Sequence, residues 1–336
     1  MKTLFRKNKK ARITGFVILA VLLIVGLLTD LFAGYSKLGL SDVLTILAGG
    51  GSRAMRYNLL ELRMPRVITS MLVGIGLSLS GCLLQGVSRN DMAEPGILGL
   101  NAGAGLFIAV FVVLFSGTIQ GFGLLLPLLA FAGSALTAFI EYRLALIRGV
   151  LRPRRLLLLG VAMSTGITAL STMLMLRMPD SDYAFVQNWL AGNIWGASWQ
   201  NALILGAGLL VLGGIAWFSA RVLNILVLGP ETATGLGVHV SRQSVILLAL
   251  AVGFSSLCCS VGGGLSFVGL VCPHLARKLF GPDYRVLIPA SALTGGVLLV
   301  LSDIISRTLF LPYEIPVGIV AAVLGAPYFL YLLIRE

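Results

Sequence analysis

The sequence predicts an all-α, polytopic membrane protein, and its composition and its long apolar segments are the grounds for this. Of the 336 residues, 57% are hydrophobic and 11% are charged, whereas soluble domains contain about 25% charged residues. Several apolar runs approach or exceed the roughly 20 residues that an α-helix needs to cross a bilayer. A large soluble core would require polar faces on these helices, and most of the segments have none.

Ten apolar segments of suitable length follow one another along the chain. The first begins after a basic N-terminus, as a signal peptide does, but no small-residue cleavage site follows it, so we expect an uncleaved first helix. No fixed-period repeat and no low-complexity tract divides the chain, which predicts a single transmembrane domain over residues 1–336. The predicted spans are 13–35, 65–86, 97–116, 122–142, 155–176, 199–220, 243–260, 266–280, 286–305 and 316–334.

The distribution of basic residues predicts the orientation in the membrane. An even number of spans places both termini on one side, and a cytoplasmic N-terminus puts most of the 25 lysines and arginines into inner segments, as the positive-inside rule requires. The exception is an outer connection at about 36–64, expected to contain a short surface helix, where Arg53, Arg56 and Arg63 precede Arg66. Arginines outside the cell predict an acidic partner there.

The largest inner connection between spans, at about 221–242, predicts a short cytoplasmic helix. Pro230 suits the first turn of a helix, and the acid Glu231 suits the positive end of the helix dipole. Gly235 and Gly237 then interrupt the helix. A short helix held between two spans can act as a lever for a soluble partner, and a simple interfacial linker is the alternative.

The chain lacks the sequence motifs of an enzyme. No G-x-x-x-x-G-K-[ST] segment is present, so the chain has no P-loop for ATP. The two histidines and four cysteines match no metal-binding or redox pattern, and no nucleophile motif or paired carboxylates occur. We therefore expect no catalytic residue, no metal site and no cofactor, and we attribute the net charge of +12 to topology rather than to nucleic-acid binding.

Ionisable residues within the predicted spans are few, and their number indicates which energy source could drive transport. Asp303 precedes Arg307 by one helical turn and can pair with it, while Asp30 and Glu141 lie near span ends. Secondary transporters need intramembrane groups of this kind to bind a coupling ion. The energy for uphill transport is therefore expected to come from another chain.

Two segments are candidates for lining a pathway. Ser164, Thr165, Thr168 and Thr172 recur near one face of the fifth span, where hydroxyl groups tolerate water, and helix–helix contact is the alternative role. The glycine-rich segment Gly262–His274 places irregular backbone at membrane depth, which is tolerated against protein or a water-filled cavity. It is either pathway lining or close packing.

Taken in order, these segments resemble the FecCD-type permeases, the membrane subunits of ATP-driven importers for iron-siderophores, haem and cobalamin. The resemblance extends from about residue 60 to the C-terminus. The matching stretches are Leu62–Arg66, Gly81 with Gln85, Arg89–Asn90, Glu94–Gly99, Leu228–Val238, Ser266–His274 with Arg277, Asp303–Arg307, Glu314–Gly318 and Gly325–Pro327.

The resemblance implies a type II ABC importer permease and several partners. It implies ten helices, a second permease subunit that is a copy or a paralogue, and cytoplasmic ATP-binding subunits. It also implies an extracellular substrate-binding lipoprotein whose glutamates meet Arg63, Arg66 and Arg307. The implied location is the plasma membrane of a bacterium, with several spans in contact with lipid and both termini in the cytoplasm.

The resemblance also implies roles for two further segments. The fifth span would line the pathway. The Leu228–Val238 stretch would seat in the ATPase as the coupling segment, and its residues are Gly229, Pro230, Glu231, Ala233, Gly235, Leu236 and Gly237. Two departures are notable: Asp91 stands where the family often has proline, and Pro230–Glu231 stands where a pair of acids is common.

The function implied most specifically is transport of an iron-siderophore complex from the binding protein into the cytoplasm. Cobalamin and haem are alternatives within the same class, because large ligands can pass a pathway that makes few specific contacts. An ion-coupled secondary transporter is an alternative outside it, and the sparse intramembrane acids argue against it. A non-transporting scaffold would not need outer arginines together with a cytoplasmic lever.

Overall fold

The computed structural model describes residues 9–34, 39–115, 124–147, 150–151, 153–194 and 196–335. The basic N-terminal residues up to Asn8, and the inner Arg148 and Arg152, lie outside these ranges. The end of the bundle where the helix Met64–Ser88 begins is called here the predicted outer end, and the end where this helix finishes is called the predicted inner end.

The described residues form a helical bundle with one short antiparallel hairpin. The first helices are α1 (Lys9–Phe32), α2 (Leu40–Leu47), α3 (Arg53–Tyr57), α4 (Met64–Ser88), α5 (Leu100–Leu114), α6 (Leu125–Ala145) and α7 (Pro153–Met175). The later helices are α8 (Asp180–Leu190), α9 (Trp199–Phe218), α10 (Ala220–Leu226), α11 (Pro230–Gly235), α12 (Val240–Gly262), α13 (Val268–Phe280), α14 (Tyr284–Thr308) and α15 (Val317–Arg335). A π-helical turn (Asn58–Arg63) joins α3 to α4, a 3-10 turn (Pro95–Leu98) precedes α5, and the hairpin pairs β1 (Leu146–Ile147) with β2 (Val150–Leu151).

The ten predicted spans each coincide with a helix, but the helices differ in length. Within the described residues, α1, α4, α6, α7, α9, α12 and α14 are long and apolar enough to cross a membrane. The apolar helices α5 and α15 are shorter. At 1.5 Å per residue, the 13 residues of α13 extend only about 20 Å, which is less than the roughly 30 Å of a bilayer core.

Helix α4 is the central element of the bundle, since it packs against α9, α12, α13 and α14. Its glycines allow these contacts. A Cβ atom added to Gly74 would overlap the carbonyl oxygen of Gly295 on α14, and one added to Gly81 would overlap the carbonyl oxygen of Gly269 on α13. These small residues therefore let the helix backbones approach closely.

The connections that precede α5 and α13 meet each other inside the bundle. The Glu94 carboxylate accepts a hydrogen bond from the backbone N–H of Phe267, and the Asn101 side chain donates to the Leu265 carbonyl over 3.0 Å. An unpaired N–H at the start of a helix needs an acceptor, and Glu94 supplies one at the N-cap residue of α13. In the chain alone, the Gly262–His274 segment is closely packed.

Polar contacts also hold the predicted inner end together. Asn224 of α10 donates to Asp283 over 2.8 Å and accepts from the backbone N–H of Tyr284 over 2.9 Å. Arg277 at the end of α13 pairs with Asp91. The acid that replaces the family's usual proline therefore ties the α4–α5 connection to α13.

Candidate functional site

The arginines predicted for docking lie together at the predicted outer end, where they are buried. Arg63, Arg66 and Arg307 expose only 6%, 9% and 4% of their surface. Arg53 and Arg56, in the preceding helix α3, are exposed. Since a buried charge must be paired, the surroundings of the three buried guanidinium groups decide what they can do.

Arg66 lies between two acids that come from opposite sides. Its Nη2 is 2.9 Å from Asp303 Oδ1, and its Nε also donates to this carboxylate, over 3.2 Å and 3.3 Å. Its Nη1 donates to Glu314 Oε2 over 2.8 Å. The side chain of Asp303 is fully buried, whereas 46% of the Glu314 side chain is exposed.

Arg307 closes the same cluster from α14. Its Nη2 pairs with the Asp30 carboxylate and also donates to the Asp30 backbone carbonyl. Its Nε lies 3.5 Å from Asp303 Oδ2, one helical turn earlier. The predicted pairing of Asp303 with Arg307 is confirmed, and the same carboxylate also holds Arg66.

Arg63 anchors the entry to α4 through neutral acceptors. Its Nε donates to Asn58 Oδ1 over 2.9 Å, and its Nη1 donates to the Leu31 carbonyl over 2.8 Å. Because Leu31 belongs to the last turn of α1, this contact ties α1 to the π-helical turn before α4. The three arginines therefore join α1, α4, α14 and the connection between α14 and α15.

The structure changes how the outer positive charge is understood. The sequence predicts a role for Arg63, Arg66 and Arg307. It does not predict the acids that face Arg66, or Asp30 as the partner of Arg307. The only signal available was that Asp30, Asp303 and Glu314 lie at segment ends that the topology places on the same side. Docking through these arginines stays a prediction. All three guanidinium groups already have hydrogen-bond partners within the chain.

The predicted coupling segment forms the helix that the sequence indicates. Helix α11 begins at Pro230, with Glu231 in its first turn. It ends in a Schellman motif: the N–H of Gly237 donates to the Thr234 carbonyl over 2.9 Å and the N–H of Val238 donates to the Ala233 carbonyl over 3.0 Å.

The residues of the coupling segment differ in backbone conformation and in burial. Gly229 and Gly237 have positive φ, +108° and +81°, which L-residues with side chains rarely adopt. Ala233 is buried against the bundle, while Leu236 is exposed. The segment is thus fixed on one side and leaves an apolar side chain on the other.

An open groove of about 900 Å³ lies beside α11 at the predicted inner end. It is lined by Thr234, Val238, His239, Arg242 and Ile246, among others. The groove is continuous with the end of the coupling helix.

The predicted pathway residues on α7 do not all lie on one face. Thr165, Thr168 and Thr172 are exposed, whereas Ser164 is half-buried and its backbone nitrogen is close to Gly99. The hydroxyls of Thr165 and Thr172 donate to backbone carbonyls of their own helix, each over 2.9 Å. Helix α7 packs on α5 and α6, and the three threonines lie outside those contacts.

The chain is similar to a family of transport proteins and to several iron permeases. A model of the FecCD transport family matches residues 22–335. The iron(3+)-hydroxamate import system permease protein FhuG of Bacillus subtilis (strain 168) is 41% identical over 319 residues, which cover 94% of this chain and 95% of FhuG. The Fe(3+) dicitrate transport system permease protein FecD of Escherichia coli (strain K12) is 39% identical over 280 residues, which cover 83% of this chain and 86% of FecD.

Solved structures share the fold. A metal-chelate type ABC transporter in an inward-facing conformation superposes with a TM-score of 0.83 at 25% identity, covering 96% of this chain and 99% of that one. PsaBC from Streptococcus pneumoniae, solved in complex with a Fab, superposes with a TM-score of 0.58 at 17% identity, covering 86% of this chain and 94% of that one. The second likeness concerns the fold alone.

Proposed function

The chain belongs to the FecCD transport family of membrane permeases, and we propose that it carries ferric siderophores across the plasma membrane of a bacterium as the permease subunit of an ATP-driven importer. The observation that carries this proposal is the relationship to the iron permeases over nearly the whole chain. FhuG and FecD are permeases for iron(3+)-hydroxamate and Fe(3+) dicitrate, so a ferric chelate is the substrate class that we assign.

Separate chains supply the energy and the substrate in this proposal. Two cytoplasmic ATP-binding subunits hydrolyse ATP, because the sequence has no P-loop of its own. An extracellular binding lipoprotein delivers the ferric complex, and a second permease subunit, a copy or a paralogue, completes the pathway. Both termini lie in the cytoplasm, as the distribution of basic residues favours.

The buried arginines form the floor of the docking surface for the binding protein. Arg63, Arg66 and Arg307 lie at the end of the bundle that the orientation places outside the cell. Their positive charge complements acidic groups on the partner, and charge complementarity of this kind steers association and selects the partner.

The α11 segment transmits ATPase movement to the bundle. Ala233 anchors the helix, and the exposed Leu236 together with the adjoining groove offers a surface to the ATP-binding subunit. The contacts of Asn224 with Asp283 and Tyr284 carry the displacement from α10 to α14. Thr165, Thr168 and Thr172 of α7 face the pathway between the two permease subunits, and Ser164 supports them from the packed side.

Transport of the substrate by the reconstituted complex tests this function. The permease is assembled with its ATPase and a second permease subunit in proteoliposomes, and its binding protein is added with a radiolabelled ferric hydroxamate, ferric citrate, cobalamin or haem. We expect accumulation of a ferric chelate that requires ATP and persists with a protonophore. Accumulation of cobalamin or haem alone would assign a different substrate, and uptake abolished by the protonophore with ATP maintained would indicate an ion-coupled transporter.

An ATPase subunit with its P-loop lysine replaced by alanine is the matched control. It keeps the assembled complex and removes hydrolysis, so uptake that continues in this control cannot be driven by ATP.

A further inference from the structure

The two acids that bind Arg66 differ in whether a carboxylate of a partner protein could replace them. The Nε and Nη2 side of the guanidinium faces Asp303, and Nη1 faces Glu314. A guanidinium presents separate edges to separate carboxylates, so one edge can change its partner while the other stays bound.

Asp303 is not available for exchange. Its side chain is completely buried, and it contacts both Arg66 and Arg307. Removing it would leave two buried guanidinium groups short of a counter-ion, which is strongly unfavourable. An incoming carboxylate therefore cannot take the place of Asp303.

Glu314 is the exchangeable partner. Almost half of its side chain is exposed, whereas that of Arg66 is 11% exposed. Water and salt therefore reach the Glu314 side of the pair and weaken it. It lies in the connection between α14 and α15, where the preceding residues 309–313 are also exposed. A rotation of the Glu314 side chain would uncover Arg66 Nη1, while the neighbouring Ile315 N–H stays bonded to the Ser306 carbonyl over 3.2 Å.

The exchange of Glu314 for a partner carboxylate changes the net charge of the cluster. The cluster contains the arginines at 63, 66 and 307 and the acids at 30, 303 and 314, so its formal charges cancel. When Glu314 moves away, the cluster carries one positive charge at the surface. An acidic partner would then meet an uncompensated guanidinium edge.

We propose that Glu314 is an intramolecular placeholder that occupies the Arg66 edge until a carboxylate of the binding protein replaces it. This rests on the proposed docking of a binding protein at the arginine cluster. In the resting permease, Glu314 competes with the partner and keeps the docking edge neutral. On docking, the partner's carboxylate bonds to Arg66 Nη1 and Glu314 moves into solvent.

The exchange takes place close to the beginning of α15. Glu314 is three residues before α15, and the second residue of that helix, Gly318, donates its N–H to the Gly192 carbonyl over 2.9 Å. Release of the Glu314 side chain therefore removes one contact of the outer connection, while α15 stays attached to the α8–α9 connection. The partner gains a contact without displacing the helix.

Binding affinity of a Glu314→Gln variant tests the placeholder. The complete complex, with its ATPase subunits, is placed in nanodiscs and titrated with the binding protein at several salt concentrations. We expect roughly two- to fivefold tighter binding than in the unsubstituted complex. We also expect a steeper loss of affinity with salt, because docking then creates an ion pair instead of exchanging one.

Glu61→Gln is the matched control. Glu61 is exposed at the same end of the bundle, so this substitution removes one negative charge without removing a ligand of Arg66. An equal gain of affinity for the binding protein in both variants would mean that the loss of any negative charge at this end has the same effect. This result would overturn the placeholder proposal. Weaker binding in Glu314→Gln would mean that Glu314 positions Arg66 for the partner, and this also overturns it.

A binding protein whose docking carboxylates are changed to amides separates the two proposals. If it binds the unsubstituted complex as well as the native binding protein does, then docking at the arginines is itself wrong. If the amides weaken binding but Glu314→Gln behaves like Glu61→Gln, only the placeholder is wrong.

Discussion

Arg307 and Asp30 form an ion pair that joins the last turn of α14 to the last turns of α1, across 277 positions of sequence. Asp30 is fully buried and Arg307 nearly so. The pair is therefore part of the fold as well as of the predicted docking surface, and substitutions there report on two properties at once.

A double-mutant cycle on this pair should reveal strong coupling in stability. Arg307→Ala leaves the buried Asp30 carboxylate without the cation that it pairs with, and Asp30→Ala leaves Arg307 with the Asp303 carboxylate alone, 3.5 Å from its Nε. Breaking a buried pair costs about 3–5 kcal/mol. Removing both should cost less than the sum of the single changes. The measurement is the thermal unfolding midpoint of the purified permease in one detergent, with exposed Glu61→Gln as a neutral control. Additive effects would mean that the two groups do not stabilise each other.

Charge reversal of the buried arginines should impair docking far more than reversal of the exposed ones. In Arg63→Glu/Arg66→Glu, the cluster loses its positive edge and gains repulsion toward acidic partners, so we expect association with the binding protein to fall more than about tenfold. Arg53→Glu/Arg56→Glu changes the net charge equally at the same end and serves as the comparison. The readout is pull-down of the binding protein, normalised to the amount of permease in the membrane.

Folding is checked separately, by the thermal unfolding midpoint of both double variants, because Arg63 and Arg66 are buried whereas Arg53 and Arg56 are exposed. Single alanine substitutions at Arg66 would leave Asp303 buried with less compensation, so reduced uptake there is not by itself a docking effect. Equal loss of binding in the two double variants would contradict docking at the buried cluster.

Valine substitutions at two neighbouring glycines of the coupling segment, Gly235 and Gly237, should affect coupling for different reasons. Gly237 has φ +81°, so Gly237→Val forces a β-branched residue into the left-handed region, at a cost of at least roughly 1–2 kcal/mol, and disrupts the Schellman end of α11. We expect this variant to insert normally but to hydrolyse ATP without uptake. Uptake per ATP hydrolysed in proteoliposomes is the quantity to compare.

Gly235→Val is the informative companion variant. A Cβ atom at Gly235 meets no atom of the chain within 4 Å, and its backbone φ is not positive. An effect on coupling at this position would therefore arise from the surface of the ATP-binding subunit. If Gly237→Val transports normally, the segment is a linker rather than a lever.

Cysteine accessibility should separate the threonines of α7 from Ser164. In a background without the four native cysteines, Thr165→Cys, Thr168→Cys and Thr172→Cys should react with a membrane-impermeant, water-soluble thiol reagent. Ser164→Cys should be protected, because this position lies against the α5 entry. The reaction rates are expected to change when ATP and the binding protein are added. Protection of all three threonine positions would place this face of α7 against lipid or another helix.

The sequence predicts elements here better than it predicts contacts between them. Apolar length locates ten helices, seven of which are long and apolar enough to cross a membrane within the described residues. The Pro230–Glu231 start and the Gly237 end delimit α11. By contrast, the pairing of Arg66 with Asp303 joins positions 237 residues apart. Hydropathy carries no information on which two helix ends meet, so this pair could not be predicted.

Helical periodicity also has limited angular resolution. Positions 164 and 165 differ by 100° around a helix, and only the packing of α7 on α5 decides which of them is covered. The contact of Glu94 with the Phe267 N–H was equally hidden, because it depends on two irregular connections that meet inside the bundle.

The ion cluster at the predicted outer end has a consequence for how the protein is made. The ribosome completes α4 well before α14 exists, so Arg66 enters the membrane ahead of Asp303 and Glu314, and a guanidinium without a counter-ion is costly there. Asp30 is the acid of the cluster that is already synthesised at that stage. Nascent chains that stop before α14 should therefore be degraded faster than full-length chains in a pulse-chase measurement, because the late helices bring the counter-ions that the early helices lack.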